Sequence, residues 1–538
     1  MQMIERRVLD AIDVEGMLAY LRRLIAIPSL SGQETAAQES VAAQMERCGL
    51  EIDVWELDFE RLRQHPAFST EVEREHGMGV VGLMGEEAGG RSLILNGHTD
   101  VVPVGDESKW HYPPWQGTIA DERIYGRGAV DMKGGLCCAL FAAKALRDAG
   151  VCLKGKLMIE SVIGEEDGGV GTLAAVLRGY HADGAVVVEP TELIVAPAHA
   201  GALNFRVTVP GRSAHGALRE EGVSAIEKFI PVYQALMALE RERNQQVQDP
   251  LFARYKLPYA LCVGTMQAGD WASTVAESLT FEGRYGVAVG EDIEATRRLL
   301  EETVAQAAQS DPWLREHPPL VEWWGGQFEP ASIPPDHPIV GAVCGAYDAV
   351  TGTAARVEGV PYGADMRLLV NEGRTPTVLF GPGDVRNAHR PDEYAPVAEL
   401  VTAVRTLALT ALRFCGYEKQ ERENENWRLG CTRSFHRARE DSSTHRRGAG
   451  GGAIAETSGR AGWPDHPRRR VHHHRQSGLG MGASGPHPRF CAIGAPTLGH
   501  LRRHDLDGQG GSRQRAGPAP TAADGRDRPP QCLRPPGR

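Results

Sequence analysis

The chain has 538 residues with 59 basic against 70 acidic side chains, and its length favours two or three domains over one. Residues 420–538 hold 21 arginines, no lysine and 11 acidic residues, which leaves 38 basic and 59 acidic residues, a net charge of −21, for residues 1–419. The negative net charge of residues 1–419 argues against nucleic acid and against an anionic membrane surface as partners.

The first 200 residues predict a catalytic α/β unit. Apolar residues recur at helical spacing from Val14 to Ile25, which predicts a helix. Apolar strands are predicted in "LILNGHTDVVPV", "GKLMIESVIG" and "GAVVVEP", with a buried helix over 136–146 between the first two. Strands that alternate with helices form a largely parallel sheet, and such sheets bind ligands at the carboxyl ends of their strands.

Residues 201–312 predict a smaller unit inserted into the first. "LNFRVTV" alternates strictly between apolar and polar residues, and "SLTFEGRYGVAV" is a second strand. Apolar spacing from Val223 to Leu239 and in "EDIEATRRLLEETVAQAAQ" predicts two amphipathic helices. We interpret this segment as a helix-covered antiparallel sheet. The α/β pattern resumes over residues 313–417 and completes the larger unit.

Residues 418–538 differ from the rest in composition. From residue 420 onward valine occurs once and tyrosine never, while Arg, Pro, Gly and His dominate. This is too little apolar material to bury a core, so we predict a disordered basic tail. An out-of-frame translation of a GC-rich gene would also give arginine without lysine.

Sequence signals for membranes and export are weak. No run of about 18 apolar residues occurs, so no transmembrane helix is expected. The first 32 residues lack the apolar core of a signal peptide. The sequence therefore predicts a cytoplasmic protein.

Acidic and imidazole side chains follow several predicted strands or lie at turns. They occur in five blocks: "GHTD" with His98 and Asp100, "GRGAVDMKGG" with Asp131, "GEEDGG" with Glu165 and Glu166, "VVEP" with Glu189, and "NAHRPDE" with His389. Singly, each block has a structural alternative, such as a helix cap for Asp131 or a solvated turn for the glutamate pair. Glu189 is the exception, because a lone carboxylate after a buried strand is costly unless it is paired or metal-bound.

Jointly, the blocks meet the needs of a two-metal hydrolytic site. Two divalent ions about 3.5–4 Å apart require a bridging carboxylate, terminal ligands and a base for a bound water. Imidazole and carboxylate ligands without thiolate suit zinc, cobalt or manganese. We therefore expect two divalent metal ions as cofactors, with zinc as the first choice.

The order and wording of these blocks resemble the acetylornithine deacetylase and succinyl-diaminopimelate desuccinylase metallopeptidase family, which includes aminoacylases and glutamate carboxypeptidases. The resemblance spans roughly residues 10–417. It implies a zinc-peptidase-like catalytic domain with a mixed, largely parallel sheet, and an inserted α+β, ferredoxin-like lid and dimerisation domain over 201–312. It also implies a homodimer that removes the acyl group from a small N-acyl amino acid, as an acetylornithine deacetylase does.

The resemblance also implies a metal-ligand set. In that family two groups of ligands share one bridging carboxylate, here Asp131. One ion would take His98, Asp131 and Glu189, and the other would take Asp131, Glu166 and His389. Asp100 would orient the imidazole of His98, since residues two apart in a strand share a face.

The resemblance further implies two groups that act on the substrate. Glu165 would be the general base that activates water. His215 in "GRSAHG" would stabilise the oxyanion in the active site of a neighbouring subunit. An exposed turn histidine is the structural alternative for His215, and its action within its own subunit also stays open.

Substrate-binding residues are predicted on weaker signals. "YGADMR" resembles the family's Gly-Thr-Asp-Ala-Arg segment and indicates Asp365 and Arg367 near the site. Arg284 in "FEGRYG" is a candidate clamp for a substrate carboxylate, because arginine binds carboxylates through two parallel hydrogen bonds. A structural role for Arg284 stays open. Ser273 replaces an asparagine of the family pattern, so the pocket differs there.

Two other functions stay open. One is a metallo-dipeptidase or carboxypeptidase that acts on dipeptide-like substrates. The other is a catalytically silent binding protein on the same fold. The complete ligand set and the intact Glu165 favour an enzyme, because a silent relative would be free to lose them.

Overall fold

The structure is a computed structural model that describes residues 1–86, 89–245 and 247–418, so residues 419–538 of the predicted basic tail lie outside the described residues. The helices are α1 (Met3–Asp10), α2 (Val14–Ile25), α3 (Thr35–Arg47), α4 (Phe59–Leu62), α5 (Lys133–Asp148), α6 (Val170–Arg178), α7 (Ala225–Gln245), α8 (Ile293–Gln309), α9 (Pro312–Glu316), α10 (Pro338–Thr351) and α11 (Val397–Cys415). The strands are β1 (Glu51–Glu56), β2 (Met78–Met84), β3 (Leu93–His98), β4 (Thr118–Ala120), β5 (Arg123–Tyr125), β6 (Leu157–Val162), β7 (Gly184–Val187), β8 (Ala198–His199), β9 (Gly201–Pro210), β10 (Leu261–Ala268), β11 (Ser278–Val287), β12 (Leu320–Phe328), β13 (Ala331–Ser332), β14 (Thr377–Leu379) and β15 (Tyr394–Pro396).

The larger sheet has six strands in the order β1-β2-β6-β3-β7-β14. β3 runs parallel to β6 and β7, and β14 runs parallel to β7. β1 pairs with β2, and β2 with β6, in antiparallel. β3 and β6 are buried along their whole length, which is typical of central parallel strands, whereas the edge strand β1 is half-exposed. The sheet is therefore mixed and largely parallel, as the sequence predicted.

Helices cover both faces of this sheet, because successive side chains of a strand point to opposite faces. On β6, Ser161 bonds to Gln38 of α3. One residue earlier, Glu160 faces the other side, where it joins a hydrogen-bonded group with Thr172 of α6. Helices α2, α5 and α11 pack together with the strands in one large apolar core.

The helix α5 comes unusually close to the end of β7. A Cβ atom on Gly135 would lie 2.0 Å from the main-chain oxygen of Val188, so only glycine fits in this turn of the helix. The helix is buried from Lys133 through Ala143. This close approach brings the residues just before α5 next to the residues just after β7.

A second sheet has four antiparallel strands in the order β10-β11-β9-β12. The chain order is β9-α7-β10-β11-α8-β12, which is the ferredoxin-like arrangement. Apolar residues of α7 and α8, such as Val232 and Leu300, pack on Phe205 and Phe281 of the sheet. The predicted boundary at residue 312 is wrong for this sheet, because β12 pairs with β9 and extends to Phe328. A register shift at the glycines before Gln327 interrupts the strand pattern there.

Within the part of the chain that the structure describes, no helix is both long and apolar enough to cross a membrane.

Candidate metal centre

The predicted acidic and imidazole residues gather at one edge of the larger sheet. His98 ends β3, the glutamate pair lies in the turn between β6 and α6, and Glu189 follows β7. Asp131 immediately precedes Met132, the residue before α5, and His389 lies in the loop after β14. Strands β6, β3, β7 and β14 are adjacent and parallel, so their carboxyl ends meet at the same edge.

Asp131 lies between the two histidines. Its Oδ1 is 3.2 Å from Nε2 of His98, and its Oδ2 is 3.4 Å from Nε2 of His389. Nε2 of His389 is also 3.1 Å from Oε2 of Glu166, and Nε2 of His98 is 3.7 Å from Oε1 of Glu189. The Asp131 carboxylate thus has an imidazole on each side, His98 at one oxygen and His389 at the other.

Glu165 lies on the His98 side of this arrangement, with its Oε2 3.8 Å from Nε2 of His98. Among the described residues, two sets of donor atoms lie within 4.8 Å of one another and could hold an ion. They are His98 with Asp131 and Glu166, and His98 with Glu165 and Glu189. Glu165 is therefore close enough to meet either an ion or a water bound to one.

The contact between His98 and Asp100 differs from the predicted one. The strand ends at His98, and Nδ1 of the imidazole donates to the main-chain oxygen of Asp100 at 2.9 Å. The Asp100 carboxylate lies 3.6 Å from Nδ1 and instead accepts the amide N–H of Glu166 at 3.0 Å. A carbonyl oxygen only accepts, so Nδ1 carries a hydrogen, and Nε2 is the nitrogen that faces Asp131 of the cluster.

The residues of this group, which we call the acid–imidazole cluster, number seven: His98, Asp100, Asp131, Glu165, Glu166, Glu189 and His389. They hold five carboxylates, and all of their side chains are nearly buried except that of His389, which is 53% exposed. The cluster therefore opens to solvent on the His389 side.

Burial and mutual repulsion shift the pKa values of the cluster. Burial, and then the charge of Glu189, raise the pKa of Glu165 well above its usual range. Burial also raises the pKa of Glu189, helped by the charge of Asp131. The charge of Glu166 raises the pKa of His389 to about 11, against the opposing effect of burial.

The cluster fits divalent metal ions. Five carboxylates packed at the interior end of a sheet repel one another, and a bound cation removes that cost. The donors are nitrogen and oxygen atoms without thiolate, a set that suits zinc, cobalt or manganese. One aspartate that faces two imidazoles also provides the shared ligand that a two-ion centre requires.

Two predicted residues lie behind the cluster. Asp365 is fully buried, and its Oδ2 accepts the hydroxyl of Thr172 at 2.6 Å. Burial raises the pKa of Asp365 to about 6. Arg367 donates from its NH2 group to the main-chain oxygen of Gly168 at 2.7 Å, in the same turn as the glutamate pair. Both residues thus support the elements that carry the cluster.

Two other predicted residues lie outside the cluster, on the inserted unit. His215 is exposed, and its Nδ1 accepts the amide N–H of Ala217 at 3.1 Å. Arg284 on β11 makes one long hydrogen bond, 3.4 Å, to the main-chain oxygen of Pro361. Among the described residues, no ion pair or hydrogen bond joins either side chain to the cluster.

The sequence prediction missed two buried ion pairs that hold the cluster loops. Glu393 is paired with Arg127 and accepts the amide N–H groups of Val130 and Asp131, which ties the His389 loop to the Asp131 loop. Both partners lie inside blocks that the sequence singled out, so a search for counter-ions there would have found them. The second pair joins Asp167 to Arg74 and has no local signal, because Arg74 lies outside all five blocks.

Comparison with known proteins identifies the family of this chain. Residues 94–413 match the model of Peptidase family M20/M25/M40. A relative from Halalkalibacterium halodurans, N-formyl-4-amino-5-aminomethyl-2-methylpyrimidine deformylase, is 31% identical over 75% of this chain and 96% of its own length. Acetylornithine deacetylase from Salmonella paratyphi B is 30% identical over 71% of this chain and 95% of its own length.

A solved structure shares the fold. The dipeptidase Dug1p from Saccharomyces cerevisiae superposes with a TM-score of 0.61 at 14% identity, over 76% of this chain and 98% of its own. The resemblance found in the five sequence blocks is confirmed by the family match and by the acetylornithine deacetylase relative. The chain belongs to Peptidase family M20/M25/M40 and is a hydrolase that acts on amide bonds.

Proposed function

We propose that this protein removes the acyl group from a small N-acyl amino acid, with acetylornithine-like compounds as the first candidates. The observation that supports this most directly is the position of Asp131, whose two carboxylate oxygens face His98 and His389. Glu165 lies beside them, and its pKa is raised well above the usual range. A 30% identical relative is an acetylornithine deacetylase.

Six residues act at the metal centre in this proposal. Asp131 is the shared ligand, His98 and Glu189 complete one metal group, and Glu166 and His389 complete the other. When bound, two divalent ions, zinc first and cobalt or manganese next, would lower the pKa of a water and polarise the amide carbonyl. The sixth residue, Glu165, would accept the proton of such a water and deliver it to the leaving amine.

His215 is proposed to donate a hydrogen bond to the oxyanion in the active site of a second copy. This role needs a homodimer, which we place at the exposed edge strand β10 of the inserted sheet. Met266 on β10 is 55% exposed, and Trp271 just beyond it is 73% exposed. An unpaired strand edge with exposed apolar residues is a natural site for pairing with a second copy.

Arg284 is proposed to bind the carboxylate of the substrate. Its single hydrogen bond is long, and among the described residues no carboxylate forms an ion pair with it. Burial lowers the pKa of its guanidinium, which reflects a charge without a partner nearby. An incoming carboxylate would supply that partner through two parallel hydrogen bonds.

A second candidate substrate is an N-formylated aminomethyl heterocycle. The relative from Halalkalibacterium halodurans is named as a deformylase of such a compound. Tyr362 donates to the main-chain oxygen of Pro190, the residue after Glu189, at 3.0 Å. Burial and the charge of Glu189 raise the pKa of Tyr362 well above its usual range. An aromatic ring there suits stacking against a flat heterocycle.

The test is a hydrolysis screen of the full-length, metal-loaded protein, combined with metal analysis. We expect turnover of N-acetylornithine or of N-formyl amines that a chelator abolishes and that added zinc, cobalt or manganese restores. Faster turnover of dipeptides would replace the deacylase assignment with a peptidase. Two bound metals without hydrolysis of any of these substrates, or of N-succinyl-diaminopimelate, would indicate a binding protein.

A further inference from the structure

The segment from Ser69 to Arg74, between α4 and β2, contacts two parts of the protein that are far apart in sequence. One is the acidic turn, residues 164–169, which carries Glu165 and Glu166. The other is the inserted four-stranded sheet. We call this segment the Ser69–Arg74 link.

On one side, the link surrounds Asp167, the third acid of the acidic turn. The Arg74 guanidinium makes two parallel contacts with Asp167, NH1 to Oδ2 at 2.7 Å and NH2 to Oδ1 at 2.8 Å. Its NH2 also donates to Glu34 at 2.9 Å. Arg74 and Asp167 are both buried, at 4% and 3% exposure. Oδ2 of Asp167 also accepts the hydroxyl of Thr70 at 2.8 Å and the amide of Val72 at 3.0 Å.

Two glycines allow the link to lie against the acidic turn. A Cβ atom on Gly164 would lie 3.0 Å from NH2 of Arg74, and one on Gly168 would lie 2.2 Å from the main-chain oxygen of Ser69. Both glycines also have positive φ angles, 67° and 142°. The turn and the link are thus in direct backbone contact, so a shift of one moves the other.

On the other side, the link holds the inserted sheet. The Glu71 carboxylate accepts the side-chain amide of Asn204 on β9 and the main-chain N–H of Gly326 on β12, the latter at 3.4 Å. The Ser69 hydroxyl accepts the main-chain N–H of Gln327 at 3.1 Å. Glu71 and Ser69 therefore touch both strands that lie nearest the link.

We propose that the Ser69–Arg74 link sets the orientation of the acidic turn according to the position of the inserted sheet, with Glu71 and Arg74 as positioning residues. The buried Arg74–Asp167 pair fixes the link to the turn, and the Glu71–Asn204 contact fixes it to the sheet. This inference rests on the proposed roles of Glu165 and Glu166 and adds residues that touch neither substrate nor metal. Orientation errors of about 1 Å at a reacting group cost up to about 10²-fold in rate.

The first test breaks the contact on the sheet side and leaves every member of the cluster unchanged. Glu71→Ala and Asn204→Ala each remove the hydrogen bond between link and sheet. Glu71→Gln keeps an acceptor oxygen in place, and Thr208→Ala alters the same strand β9 at a side chain that bonds to Thr280 instead. Glu71 is exposed, so its replacement leaves the fold intact.

The readouts are hydrogen–deuterium exchange of a peptide covering residues 163–172 and the kinetics of the metal-loaded enzyme. This peptide contains the amides of Glu166 and Gly168, which are hydrogen-bonded within and around the turn. We expect faster exchange in Glu71→Ala and Asn204→Ala, in both metal-free and metal-loaded protein, with kcat lowered about tenfold and KM nearly unchanged. Glu71→Gln and Thr208→Ala should match the wild type in both readouts.

The second test acts on the turn side. In Arg74→Lys the positive charge remains, but one ammonium group cannot pair with both oxygens of Asp167 and with Glu34. We expect faster exchange of the same peptide and a larger fall in kcat than for Glu71→Ala.

If the peptide exchanges at the wild-type rate in Glu71→Ala and Asn204→Ala, the proposed role of the link is wrong. Faster exchange with an unchanged kcat would also contradict the proposal. A wild-type protein without amidase activity would refute the proposed function, while the exchange rates of the metal-free variants would still decide whether the sheet controls the turn.

Discussion

Glu165 and Glu166 are adjacent in sequence but have different neighbours. Glu165 lies 3.8 Å from Nε2 of His98, whereas Glu166 lies 3.1 Å from Nε2 of His389. Burial raises the pKa of both, and that of Glu165 moves well above its usual range. Two identical side chains therefore become a base candidate and a ligand candidate through their surroundings alone.

The base role of Glu165 can be separated from metal binding. Glu165→Gln preserves the shape of the side chain and removes its ability to take a proton. Turnover should fall by about 10²–10⁴-fold, because that is the usual contribution of a general base. Elemental analysis should still find two metal ions per chain. Near-normal turnover at full metal occupancy would contradict this role.

A control variant should show the opposite result. Asp131→Ala removes the carboxylate that faces both histidines, so the protein should lose metal as well as activity. Two ions per chain in this variant would mean that Asp131 does not bridge.

His199 is a buried histidine outside the cluster that should affect stability at low pH. Its Nδ1 donates to the main-chain oxygen of Ala200, and its Nε2 has no hydrogen-bond partner. Burial lowers its pKa from 6.5 to about 4. The unfolded chain therefore gains a proton near pH 6.5 while the folded protein does not, so the stability present above pH 6.5 is lost as the pH falls towards 4.

The expected loss is about 2–3 kcal/mol of unfolding free energy between pH 6.5 and 4, at about 1.4 kcal/mol per pKa unit. Urea unfolding of the metal-free wild type and of His199→Gln across this range measures it. The variant should lack this part of the decline. Parallel curves for the two proteins would refute the assignment to His199.

At the residue scale, the sequence was informative wherever a functional group lay within a recognisable block. All seven members of the acid–imidazole cluster were predicted, because each ends a strand or lies in a turn of an unusual composition. Arg74 was not, since its partner Asp167 lies 93 positions away and nothing near Arg74 indicates burial. The Asp100 carboxylate does lie beside His98, at 3.6 Å from Nδ1, but the hydrogen bond to Nδ1 is made by the main-chain oxygen of Asp100, which sequence alone does not indicate.

The contact between α5 and β7 determines where two predicted ligands lie. Gly135 in α5 touches Val188, the residue before Glu189, and Asp131 lies just before the helix. In Gly135→Ala the new methyl group meets a main-chain oxygen at 2.0 Å, so helix and strand must separate. We expect the free energy of unfolding to fall by about 1–3 kcal/mol and metal affinity to fall with it.

Gly341 in α10 provides the matched control. A Cβ atom there meets nothing within 4 Å, and the residue is exposed. Gly341→Ala should stabilise the protein by about 0.5–1 kcal/mol, because alanine restricts the unfolded chain and favours the helix. Calorimetry and a zinc titration of both variants test the pair. A Gly135→Ala protein with wild-type melting temperature would show that the contact is not tight.

At the element scale, strong periodicity gave reliable predictions. The helix at Val14–Ile25 and the strands in "LNFRVTV" and "SLTFEGRYGVAV" appear close to where they were predicted. β1 and β2 were missed, since β1 is a half-exposed edge strand without a continuous apolar run. β12 was missed because the glycines before Gln327 break its alternation. Pairing with β9, not local sequence, fixes that strand.

At the scale of the whole molecule, the proposed dimer predicts how the activity of His215 variants should behave. His215→Ala should lower turnover by about 10²–10³-fold with little loss of metal, because one hydrogen bond to developing charge is worth that much. If His215 acts on the partner's site, a mixed dimer of His215→Ala and Glu165→Gln contains one site with both groups intact.

Mixing the two inactive variants under conditions of subunit exchange should therefore restore up to about half of the wild-type activity. Each variant alone, treated in the same way, is the control. Exchange verified by mass spectrometry without recovery of activity would place His215 in its own subunit or in a structural role.

The pairing of β14 with β7 has a consequence for how the protein is made. β7 ends at Val187 and β14 begins at Thr377, and the entire inserted sheet lies between them. A ribosome that adds roughly 5–20 residues per second needs about 10–40 s to cover the 189 residues between them. During that time the buried strand "GAVVV" has an open edge, which is a target for aggregation until β14 emerges. The inserted sheet can fold meanwhile, because all of its own strands are already synthesised before β14 appears. A nascent chain that stalls after Phe328 would therefore expose β7 for longer and would depend most on chaperones.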